Sequence, residues 1–513
     1  AEALDANTTA SNNTAVGKAA LGANITGAEN TAVGSNALEN NTASQNTAVG
    51  HDASQANTTG AHNTAVGAFS QHVNTTGSHN TSVGKSSLGY NTTGAYNTAL
   101  GRNALNANTT ANNNTAVGYA ALYTNTTGHS NVAVGANALD SNQTGNNNTA
   151  IGYLSLDKTL EDDNVAVGNY TLRENTTGEY NTATGYQALT KNTTADNNSA
   201  FGHKALQQNT TGTQNTAVGS EALDATTTSS NNTAVGYQAM TDANGAVDSV
   251  AVGSEALANV TTGDYNVGVG FQALKTITTS GNCVAVGYQA LENNTAGNNT
   301  AVGANALQAN TTGNQACAFG DDALVNNTTG AINNAFGHNA LHDNTTGQAN
   351  TAIGRNTSYK NVDGDFNVAL GYDALFYNVS GDGNVAIGHE SLYNCTGGLN
   401  ESIGKRSLLN CTTGSHNAAM GYDALVSVTT GNRNIGISGF AGGSITTGDD
   451  NICLGYDSGK SNSPSGNITT GSDNIVLGNN NHQNLYCADT SISSSDQRDK
   501  TDIEDFTKGL DWI

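Results

Sequence analysis

A small–large–Gly signature, as in Ala116-Val117-Gly118, returns along this chain about every seventeen residues. The stretch Asn114 to Ser130 is one full unit, and everything from Asn13 onward is a variation on it. Units open at Asn13, Asn30, Asn46 and so on to Asn434, Asn451 and Asn474, giving 28 starts. The fourth position is apolar (Val16, Val33, Val49, Val66), with Thr184 the exception, and the fifth is Gly except at Ser438. The third is Ala, Ser or Gly almost everywhere, with Cys453 and Val476 as departures. A second apolar pair follows later in each unit, as in Ala20-Leu21 and Ala104-Leu105.

A period this short is neither a domain nor a two-helix repeat; it fits one coil of a solenoid. The expected coil is a short strand, a turn, a second short strand and a turn back. The fold class is therefore all-β, a parallel β-solenoid of 17-residue coils. Successive strand residues point to opposite faces, so the Val row and the Ala row look in opposite directions. The expectation is that Val and Leu fill each coil. The Ala/Gly face would then let another backbone approach closely, which predicts a homotrimeric fibre packed through that face.

The turns are equally regular. Asn-Thr-Thr-Gly recurs from Asn57, Asn74, Asn91, Asn125, Asn175, Asn209, Asn310, Asn327 and Asn344. Its Gly is expected to supply a positive-φ position. Asn at the unit start is expected to stack into a ladder of side-chain amides. The one long step, from Asn451 to Asn474, holds an inserted loop at 461–466 with the only proline, Pro464.

Composition changes the picture in two ways. Aromatic residues make up 5% and charged residues 11% of the chain, which in an aperiodic sequence would signal disorder; the strict period argues for stacked coils instead. The formal charge of −24 disfavours nucleic acid and anionic membrane as partners. No apolar run approaches the length of a membrane span. The chain opens at Ala1 without Met, so an N-terminal portion is expected to be missing, and residues 1–12 read as a leading coil.

Two resemblances follow from these motifs. The small-Val-Gly strands resemble the left-handed β-roll heads of trimeric autotransporter adhesins, and Asn-Thr-Ala-Val-Gly arrays resemble repeat regions of phage tail fibres. The tail, Ser494-Ser495-Asp496-Gln497-Arg498-Asp499-Lys500 and then Gly509-Leu510-Asp511-Trp512-Ile513, resembles the opening of the intramolecular-chaperone endopeptidase domain of phage tailspikes and the myelin regulatory factor. The resemblance implies a domain start at 491–513 after a shaft at 13–490. It also implies single-turnover self-cleavage at Ser495, with Lys500 accepting the serine proton, after the chaperone has trimerised.

Other candidate chemistry is sparse. Cys395 and Cys411 occupy one position of adjacent units, about 5 Å apart by strand spacing. They read either as a disulfide or as reduced thiols filling apolar space. Tyr follows the unit's Gly at Tyr119, Tyr153, Tyr186, Tyr237, Tyr288, Tyr372, Tyr422 and Tyr456, either as surface packing or as a stripe that a host cell-surface glycan would meet. Asn-x-Thr sequons, among them Asn57, Asn125, Asn394 and Asn410, would be glycan acceptors in a secreted eukaryotic protein and are turn chemistry otherwise. No spacing indicates a metal site, and no motif indicates a cofactor. The shaft reads as a non-enzyme, since no carboxylate cluster recurs of the kind a polysaccharide-degrading spike requires.

The expected function is the structural shaft of a viral, phage-like tail fibre or spike, located on the virion or outside the cell. The shaft would project host attachment, and the trimerising tail would fix the register of near-identical coils. The alternative is a glycosylated surface fibril or adhesin of a cell.

Overall fold

The computed structural model describes residues 2–484, which divide into two compact units between Asn282 and Cys283. Each is a parallel β-solenoid. The first unit carries sixteen three-residue strands, from β1 (Thr14–Val16) to β16 (Val267–Val269). The second carries twelve, from β17 (Val284–Val286) to β28 (Ile475–Leu477). Within each unit every strand pairs in parallel with the next in the chain, like residue on like: Thr14 on Thr31, Ala15 on Ala32, Val16 on Val33.

The strand triplet faces the opposite way from the sequence expectation. Its middle residue, Ala32, Ala48, Ala65 or Ala116, is fully buried. The flanking residues look outward, and Val33 and Val49 are each 36% exposed. The core of a coil is therefore the strand Ala, the later Ala and the Leu after it, as in Ala32, Ala37 and Leu38. The reason is volume. A 17-residue coil encloses room for one Leu and two methyl groups, so Val has to point out.

The coil also has one strand and not two. Opposite the strand lies a run of turns in which the backbone alternates into the left-handed region, at Asp52 (φ 54°) and Ser54 (φ 48°) in one coil and at Asn36 (φ 59°) and Leu38 (φ 51°) in another. A left-handed Leu costs about 1–2 kcal/mol, while burying it contributes about 2–3 kcal/mol, so burial wins. The alternation points amides up and down the stack by turns. Leu38 N–H donates to Ala53 O of the next coil (3.0 Å), while Asn36 N–H donates back to Lys18 O (2.9 Å). Each coil is thus hydrogen-bonded to both neighbours on its strand side and on its turn side.

Two glycine positions are fixed by close approach. After the strand, Gly17 sits at φ 134°, and a Cβ there would lie 2.3 Å from Gly34 O of the next coil. The Gly of Asn-Thr-Thr-Gly is not at positive φ, contrary to expectation. It is Gly because a Cβ on Gly60 would lie 2.3 Å from Gly77 O and 2.5 Å from Asn57 Oδ1.

Candidate self-association face

The outer face of each strand sheet is an apolar row, interrupted in the first unit at Thr184. In the first unit it runs through Val16, Val33, Val49, Val83, Leu100, Ile151 and Phe201, which are between 36% and 59% exposed. In the second unit it runs through Phe319, Phe336, Ile353, Leu370, Met420 and Leu477, between 37% and 50% exposed. Phe319 and Phe336 stack face to face at 5.0 Å. The parallel row two residues earlier is Thr in most coils of the first unit. It turns apolar at Val368, Val385, Ile435, Ile452 and Ile475 in the second.

At on the order of 50 Å² of exposed apolar surface per coil, the sixteen coils of the first unit present about 800 Å². That equals one partner's share of a standard interface and exceeds the apolar patches that monomers ordinarily expose. The row was visible in the sequence but assigned to the interior. A usable signal was its tolerance of Val, Leu, Ile, Phe, Met and Thr. A packed interior position would not accept that range of volumes, whereas the Ala row accepts almost only Ala, Ser and Gly.

The turn asparagines are interior. Asn57 and Asn125 are fully buried. Asn57 Nδ2 donates to Asn41 Oδ1 (2.6 Å) and to Gly60 O (2.8 Å). Asn125 Nδ2 donates to Asn108 Oδ1 (3.0 Å) and Gly128 O (2.9 Å). The nitrogen that an N-linked glycan would occupy is engaged in both, so neither is an acceptor in the folded coil. Asn394 is half-buried and Asn410 exposed, each bonding only a neighbouring backbone carbonyl through Nδ2, at 3.1 and 3.0 Å.

The side-chain amide ladder runs through these turn asparagines more than through the unit starts. Unit-start asparagines mostly tie backbone to backbone. Asn97 Oδ1 accepts from Asn114 N–H (3.0 Å), and Asn97 Nδ2 donates to Ala111 O (2.8 Å).

Cys395 and Cys411 meet, with both side chains buried and their Sγ atoms 3.4 Å apart as thiols. The hydrogen bond between them, and then burial, pushes the Cys411 thiol far above its ordinary range. Burial alone raises Cys453 to about 11. The Tyr row after the strand Gly is about half exposed, at Tyr119, Tyr153, Tyr186, Tyr237, Tyr288, Tyr372, Tyr422 and Tyr456. Its rings lean on neighbouring coils, as Tyr186 does on His203 at 5.7 Å. Ser495 and Lys500 lie outside the described residues. No known protein family matches the chain, and no curated protein is significantly similar to it.

Proposed function

We propose that this chain is the shaft of a homotrimeric fibre of the viral tail-fibre or spike type, acting outside the cell or on the virion and projecting host attachment. The observation that carries the reading is the outward apolar row. A partner that covers it coil after coil needs apolar groups at the same spacing, and a second copy of this chain has them. The net charge of −24 opposes association through any other face. The chaperone domain that opens at 491–513 would align the chains before the coils zip together, with self-cleavage at Ser495, Lys500 accepting its proton, completing assembly. The buried turn asparagines weigh for this reading over a glycan-coated cell-surface fibril, since most of the sequons sit in that turn.

Light scattering on the purified chain tests the proposal, with a trimer mass expected. Replacing Val66, Val83 and Leu100 together by Lys is expected to yield monomers with an unchanged circular dichroism spectrum. A monomeric wild type, or a variant that stays trimeric, would sink it.

A further inference from the structure

The turn row just after the core Leu carries Gln55, His72, Asn106 and Tyr123 at successive coils, half-buried at Gln55 and His72, buried at Asn106 and exposed at Tyr123, with Gly89 between His72 and Asn106. That single missing side chain opens a notch of about 300 Å³, at the small end of the range for ligand clefts. Aromatic rings stand around it. Phe69 is 36% exposed, Tyr123 37% and Tyr90 60%. His72 is held against the Phe69 ring edge-on at 5.6 Å, with its Nδ1 3.4 Å from Asp52 O. On the other side Asn106 folds toward the space above Gly89 and donates from Nδ2 to Ser86 O at 2.8 Å. That bond fixes the amide and leaves Oδ1 as an acceptor. No Lys, Arg, Asp or Glu lines the notch.

We propose that this notch binds a neutral saccharide, one or two pyranose rings in size. A pyranose has an apolar C–H face that lies against an aromatic ring. Its hydroxyls suit a fixed amide, the Tyr90 and Tyr123 hydroxyls and the Ser86 hydroxyl. Anionic sugars are disfavoured, because the notch offers no cation and the chain carries −24.

The same row supplies an internal control. At Ala258, a second small residue, there is a depression of about 280 Å³ lined by Gln238, Asp242, Glu255 and Lys275. Lys275 Nζ pairs there with Glu255 at 2.7 Å, and no ring lines it. A small residue alone opens a dent; of these two, the one at Gly89 is walled by rings. The notch lies within one chain, so the inference stands apart from the trimer reading.

Saturation-transfer NMR on the full chain, with lactose, maltose and cellobiose against sialyllactose at millimolar concentration, tests it. Transfer to the ring C–H protons of at least one neutral disaccharide is expected. Gly89 has an ordinary φ, and an added Cβ would lie 2.8 Å from Asn106 Nδ2 and 3.3 Å from Ser86 O, so the Asn106 side chain swings aside to admit it. Gly89→Gln therefore fills the notch without touching the core, and Tyr123→Ala removes a wall. Each is expected to weaken binding by about tenfold or more, while Ala258→Gln leaves it unchanged. No transfer from any neutral sugar, stronger transfer from sialyllactose, or unaltered binding in Gly89→Gln would each overturn the proposal. Light scattering on the same samples reports assembly independently.

Discussion

The same turn position is built in two ways in two regions of the molecule. In the first unit Asn57, Asn74, Asn91, Asn108, Asn125 and Asn142 form a ladder, each Nδ2 donating to the preceding Oδ1 at 2.6–3.2 Å. Each also donates to a carbonyl in its own turn, as Asn91 does to Gly94 O at 2.9 Å. The ladder runs again from Asn294 to Asn378, and beyond it that position becomes Cys395, Cys411, Val428, Ile445 and Ile468, all buried in one apolar cluster. The larger side chains fit because glycines give way beside them. A Cβ on Gly442 would lie 3.1 Å from Ile445 Cδ1, and one on Gly414 would lie 3.2 Å from Cys411 Sγ.

The turn carbonyl survives the exchange because it has a second donor. Where Val428 replaces Asn, Gly431 O still accepts from Asn417 Nδ2 at 2.9 Å. The unit-start Asn is therefore the more constant of the two, giving way at Ser249, Cys283 and Ala316, and the turn Asn is the more freely replaced.

The sharpest way to break that comparison is to remove one of each. Asn417→Ala deletes the bond to Gly431 O, the donation to Asn400 Oδ1 (3.1 Å) and the acceptance from Asn434 N–H (2.9 Å). A loss of about 3–4 kcal/mol is expected. Asn91→Ala removes one ladder rung, but Gly94 O keeps its bond from Asn80 Nδ2 at 2.8 Å, and about 2 kcal/mol is expected. Denaturant midpoints, with hydrogen exchange to localise the effect, measure both. Equal losses would mean the two asparagines share the turn evenly.

The converse exchange sharpens the same point. Val428→Asn places an amide between Cys411 and Ile445, neither of which can extend a ladder. Only local carbonyls remain as partners, so a destabilisation of about 1–2 kcal/mol is expected, localised by exchange to the coils around Val428. A neutral outcome would show that an isolated rung is as good as a ladder.

The sequence carried the period, the parallel stacking and the identity of the buried Leu. Column statistics separate a volume-restricted row from a tolerant one, yet the Val row was assigned inward because hydrophobicity alone does not give a strand its facing. The missing second strand was illegible for a different reason. Alternating left-handed residues at Asn36 and Leu38, or Asp52 and Ser54, have no glycine signature, because stacking and Leu burial sustain them and local preference does not. The notch at Gly89 was legible only as one more Gly in a chain of 61. Its meaning depends on what stands one coil to either side.

A third kind of column completes the contrast. Amides stacked on their own copies bond, and apolar groups stacked on their own copies pack, but carboxylates stacked on their own copies repel. Asp140 and Asp157 occupy the row after the core Leu in adjacent coils, both half-buried. Burial, and then the charge of Asp157, raises the Asp140 pKa above the ordinary carboxylate value. Burial raises Asp157 as well, against the opposing charges of Arg173 and Lys158. A carboxyl whose folded pKa exceeds its unfolded one binds its proton more tightly in the native state. Its penalty is therefore full at neutral pH and is relieved as pH falls through the folded pKa toward the unfolded one. Asp140→Asn should accordingly stabilise the chain at pH 7, by about a few tenths of a kcal/mol once solvent screening is allowed for. The gain should vanish below the ordinary carboxylate range. Melting curves of both proteins across that range measure the difference. A gain that persists in acid would mean that amide stacking, and not relief of charge, is what Asn contributes there.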